Sequence, residues 1–125
     1  MQLKKRNSLA WLLVLLCVSA PVLPLYGSEV ESIIIELKNG TLAGENFALS
    51  GGKPVSRIRQ GKLVKILLSS DTKTTIHLHG YNLKAVVKPK TQAVIKFKAE
   101  AAGRFPIETH GSDGSHKTLL YIEVR

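Results

Sequence analysis

The sequence predicts an all-β domain, an antiparallel sandwich of seven or eight strands, and three observations carry that expectation. Apolar and polar residues alternate along nearly every segment beyond residue 28, turn-forming residues recur at short intervals, and no stretch shows the periodicity of an amphipathic helix. At 125 residues the chain is long enough for one compact domain and too short for two.

The elements follow in order. Val30 to Leu37 is rich in isoleucine and ends at Lys38-Asn39-Gly40-Thr41, where Asn-Gly signals a hairpin turn. Thr41 to Ser50 is less regular and closes on Gly51-Gly52. Val55 to Arg59 alternates apolar and basic residues, the pattern of a half-buried strand. Lys62 to Ser69 sets Val64, Ile66 and Leu68 on one face and Lys65 on the other. Thr74 to His79 follows the Ser70-Asp71-Thr72 turn, and Asn82 to Val87 follows Gly80-Tyr81. Pro89 breaks the pattern before Thr91 to Lys98, where Ala93, Ile95 and Phe97 oppose Gln92, Lys96 and Lys98. Gly103 opens Arg104 to Thr109, with Phe105 and Ile107 inward, and Thr118 to Arg125 ends the chain with Leu120, Ile122 and Val124 inward.

Residues 1–27 read differently. Lys4, Lys5 and Arg6 precede an apolar run, Leu9 to Val18, that is too short to span a bilayer comfortably, which is the make-up of a secretory signal peptide. Cleavage after Gly27 leaves residues 28–125 as an exported, periplasmic domain with no stable membrane span. The one cysteine, Cys17, and the one methionine, Met1, go with the leader, so the remaining domain has no disulfide and no sulfur ligand. The formal charge is +9, of which +6 belongs to residues 28–125. A basic surface favours acidic partners, another periplasmic protein among them. Nucleic acid is not expected, because lysine and arginine are spread along alternating strands with no aromatic residues interleaved.

The chemistry concentrates in four histidines: His77, His79, His110 and His116. A metal needs at least three side-chain donors about 2.0–2.2 Å from the ion, and separate strands with their end loops can supply them. His77 and His79 share a face opposite Ile76 and Leu78. Both then look outward unless the strand kinks at Gly80, which makes His79 the stronger candidate ligand and His77 the weaker. A five-residue loop, Gly111 to Ser115, can bring His110 and His116 together, with Asp113 placed either to ligate or to orient a ring nitrogen. Glu108 shares a face with His110, where a carboxylate raises the histidine pKa and fixes its tautomer. The expected ligands are therefore His79, His110 and His116, with His77 in addition. Imidazole suits copper, with zinc as the alternative.

The order His79-Gly80-Tyr81, Val86-Val87-Lys88-Pro89, Ile95-Lys96-Phe97-Lys98-Ala99, Gly103-Arg104-Phe105 and Leu120-Tyr121-Ile122-Glu123-Val124 resembles the cupredoxin superfamily. The likeness is to small periplasmic cupredoxin-like domains and to the copper domains of nitrous-oxide reductase and cytochrome oxidase subunit II, and it covers about residues 55–125. The resemblance implies a Greek-key sandwich in which His79 matches the first copper-binding histidine. Thr109 then falls at or near the family's cysteine position and Thr118 at its axial methionine, while His110 and His116 lie in the ligand loop out of register with the usual histidine spacing. Without a thiolate, neither a blue-copper centre nor a dinuclear thiolate-bridged centre can be built. The expected role is metal handling or delivery, and not electron transfer. The competing reading is a metal-free interaction module that kept the sandwich and lost the site. Catalysis is not expected, because no residue stands out as a general base.

Overall fold

A computed structural model describes residues 29–44, 47–111 and 113–125; the expected signal peptide, residues 1–27, lies outside the described residues. Alternation becomes ten strands: β1 (Val30–Lys38), β2 (Thr41–Ala43), β3 (Ala48–Ser50), β4 (Lys53–Ile58), β5 (Leu63–Ser70), β6 (Thr74–Leu78), β7 (Leu83–Val87), β8 (Ala93–Lys98), β9 (Gly103–His110) and β10 (His116–Val124). No helix forms among the described residues, and none there is long and apolar enough to cross a membrane.

The strands make two sheets, one of four in the order β2-β1-β5-β8 and one of six in the order β3-β4-β10-β9-β6-β7. The all-β sandwich class holds, and two details differ from the expectation. The described residues form ten strands instead of seven or eight, because the irregular stretch from Thr41 to Ser50 contributes two three-residue strands. The pairing is mixed, with β1 and β5 parallel and β4 and β10 parallel. Alternation records which side chains share a face, and it is the same for both ladder types, so strand direction is invisible to it.

The core lies between the sheets. Ile33, Ile35, Leu37, Val64, Ile66, Leu68 and Ile95 from the smaller sheet meet Ile76, Leu78, Ile107, Leu120, Ile122 and Val124 from the larger, and all are buried. Each such side chain contributes about 1.5–3 kcal/mol by leaving water. With no sulfur in the described residues, this packing and the backbone ladders hold the fold.

A histidine and glutamate cluster on the outer face of the larger sheet

With Ile76 and Leu78 committed to the core, Thr75, His77 and His79 must face outward. On β9, Ile107 and Thr109 are buried and Glu108 and His110 take the outer face. Strand pairing then sets these residues side by side: Thr75 opposite His110, His77 opposite both Glu108 and Lys84, His110 opposite His116, and Glu108 opposite Thr118. Directly opposed residues on neighbouring strands lie about 4.5–5.5 Å apart at Cβ, close enough for imidazoles to touch.

The strand β10 needs a correction to join this face. Leu120, Ile122 and Val124 point inward, so strict alternation would also turn His116 and Thr118 into the core. A bulge between Thr118 and Leu120 prevents it. Leu119 and Leu120 are both buried in succession, and the residues before them are re-aimed outward beside His110 and Glu108. On β6, the His79 N–H donates to the Pro106 carbonyl at 3.0 Å, extending the ladder one residue past Leu78. Gly80 then turns the chain at φ +83°, where a Cβ would also collide with the Phe105 ring. The hinge expected at Gly80 therefore closes the strand behind His79 and does not rotate His79 away from His77.

The rings pack closely. Centroids are 3.9 Å apart for His77 and His79, 5.4 Å for His77 and His110, 6.3 Å for His79 and His110, and 4.1 Å for His110 and His116. Two overlapping donor sets result, His77 with His79 and His110, and Glu108 with His110 and His116. Within each set the donor atoms lie within 4.8 Å of one another. Glu108 stands between the sets. Its Oε1 accepts a hydrogen bond from the Thr118 hydroxyl at 3.1 Å, and its Oε2 lies 2.9 Å from His79 Nε2 and 3.7 Å from His116 Nδ1. The His79 approach is near in distance but misaligned for a hydrogen bond, so His79 Nε2 joins His77 Nδ1, His77 Nε2 and His110 Nε2 as enclosed nitrogens with no hydrogen-bond partner among the described residues.

Enclosure sets the protonation. Burial holds His77 below the ordinary histidine value, and His79 and Lys84 repel its charged form further. Burial also lowers His110, with His116 and Lys84 adding to it and Glu108 opposing. Glu108 does push His110 upward as expected, but loss of solvent, with His116 and Lys84, outweighs it. For Glu108 itself, burial favours the neutral acid, but the Thr118 hydroxyl and the His79 and His116 rings outweigh it and hold the carboxyl low. Neutral imidazoles beside a carboxylate are the protonation states that ligate a metal.

All four sequence-predicted histidines come to this face, though not to a single point. His77 looks outward as alternation requires, yet at 9% exposure it is the most enclosed of the four, because His79, His110 and Lys84 surround it. Asp113 does not reach the cluster: its Oδ1 accepts from the Ser115 N–H at 2.9 Å and shapes its own loop. Thr109 and Thr118, the positions matched to the family's cysteine and methionine, point to opposite faces of the sheet. Thr109 is buried toward the core with its hydroxyl 3.5 Å from the Lys117 carbonyl, whereas Thr118 holds Glu108 outside. Glu108 is the member whose place among the donors was undervalued in the sequence. Its signal was the shared face with His110.

No family model matches this chain, and no curated protein sequence matches it. Solved structures do. A chain of a heme-copper terminal oxidase dimer matches with a TM-score of 0.59 and 21% identity, covering 82% of this chain and 69% of that one. A copper binding protein solved in the apo form by NMR matches at 0.54 and 16%, covering 77% and 88%. The copper nitrite reductase from Nitrosomonas europaea matches at 0.51 and 18%, covering 78% of this chain but 42% of the enzyme. At these identities the likeness is one of fold, and it establishes the domain as a cupredoxin-like β-sandwich.

Proposed function

We propose that this is an exported, periplasmic domain that binds Cu(II), or another late divalent ion such as Zn(II), and handles the ion as cargo. The observation that carries the reading is the convergence at His77, His79 and His110 of enclosed imidazole nitrogens that have no hydrogen-bond partner among the described residues. Leaving a buried polar atom unsatisfied costs about 1–3 kcal/mol, and three rings sharing that cost in one place is the signature of a site shaped for something that accepts their lone pairs. His77, His79 and His110 would hold the ion, with Glu108 and His116 beside them. Bound there, copper would sit among nitrogen and oxygen donors, without the thiolate on which blue-copper electron transfer depends.

The metal-free alternative does not account for those nitrogens: a surface that had lost its site would be expected to let its histidines return to water or to find backbone partners. The copper-binding and oxidase neighbours support copper as the ion to try first. Export is supported by the basic and apolar make-up of residues 1–27. We read the domain as a binder and not an enzyme, since Glu108 is held by the Thr118 hydroxyl and no other carboxylate joins the cluster among the described residues.

Titration of the purified protein with Cu(II) tests the reading. The wild type is expected to take up the ion with weak ligand-field absorption and no intense thiolate band, and a His77→Ala, His110→Ala variant is expected to take up none. Equal uptake by both proteins would defeat the proposal.

A further inference from the structure

The two donor sets differ in exposure, and they share a residue. His77, in the first set, is buried, whereas the His116 side chain, in the second, is 54% exposed. His110 belongs to both, and the Glu108 oxygen that faces His116 also faces His79. No one position gathers all five donors within ligating distance of each other, so the exposed set is not simply a larger version of the enclosed one.

We infer that Glu108, His110 and His116 form an entry position, through which an ion passes to and from the enclosed position at His77, His79 and His110. This rests on the metal-binding reading above. An ion arriving from solvent first meets His116, at 54% side-chain exposure against 37% for His79, together with the Glu108 carboxylate, whose negative charge attracts a cation. It then exchanges His116 for His77 and His79 while keeping His110, so it never has to be released into water between the two positions. The Thr118 hydroxyl holds Glu108 through Oε1, and Oε2 lies between the two positions, 2.9 Å from His79 Nε2 and 3.7 Å from His116 Nδ1, within reach of an ion in either. Stepwise exchange of one donor at a time has a lower barrier than stripping all the ligands at once, because each intermediate keeps a nearly full set of donors.

The proposal separates rates from affinity. A residue on the path but outside the resting site changes uptake and release by the same factor and leaves their ratio, the Kd, alone. Stopped-flow mixing of the purified protein with Cu(II), and of the loaded protein with excess chelator, reads the two rates; equilibrium competition reads the Kd. His116→Ala is expected to slow uptake and release by one common factor, with the Kd unchanged. His77→Ala is expected to weaken the Kd. The inference is overturned if His116→Ala leaves both rates at wild-type values, if it weakens the Kd as His77→Ala does, or if the wild type holds two ions at once. Failure of the wild type to bind Cu(II) at all would instead bring down the functional reading beneath it.

Discussion

The two outer faces of the sandwich are built by the same alternation and end in opposite states. On the smaller sheet, register sets Ile34, Leu67 and Val94 in one row and Ser32, Lys65 and Lys96 in the next. Ile34 is 67% exposed and Val94 is exposed as well, so this face is a solvated surface on which a short apolar row lies beside a row bearing lysines. On the larger sheet the equivalent face encloses polar groups: His77 is buried, and Glu108 keeps only 19% of its side-chain surface. Sheet geometry does not separate the two. The difference comes from imidazoles on three adjacent strands packed against one another around Glu108, so that each removes solvent from the next. Burial here is a collective property of the cluster, and no single residue's hydropathy reports it.

The comparison can be broken most severely at Gly80. An alanine there must occupy a positive φ and push into the Phe105 ring, so Gly80→Ala is expected to cost about 1–3 kcal/mol in chemical denaturation and to disturb metal uptake as well. A substitution confined to the smaller sheet's face should do neither. If Gly80→Ala proves neutral in both, the turn does not brace His79.

Acid should divide the faces next. Folding holds His77 and His110 below their ordinary value of 6.5, so as pH falls the unfolded chain takes up protons first. The stability these two provide is complete above 6.5 and is lost as pH drops through their lowered folded values. Glu108, held below 4.5, adds a further loss beneath that point. Urea midpoints of the metal-free protein should therefore fall on acidification below 6.5, and a His77→Leu variant should fall less steeply. Identical slopes would mean that the cluster is open to water.

The smallest effects test the faces directly. His77→Leu exchanges two nitrogens that have no hydrogen-bond partner among the described residues for an apolar side chain, and the metal-free protein is expected to be unchanged or more stable by up to about 1 kcal/mol. Ile34→Thr on the solvated face should stay within about 0.5 kcal/mol of wild type. A marked loss at His77 and none at Ile34 would show that the imidazoles stabilise the fold, and that they are not held in place at its expense.

Much of this was legible in the chain. The strand positions, the inward residues Val64, Ile66, Leu68, Ile107 and Leu120, and the outward pairing of Glu108 with His110 all follow from alternation, which acts within a few residues. The four histidines were legible as candidates because so few exist and they cluster beside turns.

What those residues build was decided elsewhere. Alternation cannot say that β6 lies next to β9 and β9 next to β10, nor that β1 runs parallel to β5, since those pairings join segments far apart in sequence. The bulge at Thr118 to Leu120, which turns His116 outward, breaks the very periodicity from which a reader of the sequence would place it. By itself the sequence determined the faces and the donor types, because side-chain direction is a local property of an extended backbone. Tertiary structure alone decided that His77 is enclosed and Asp113 is not, because solvent is excluded by neighbours that only folding brings together.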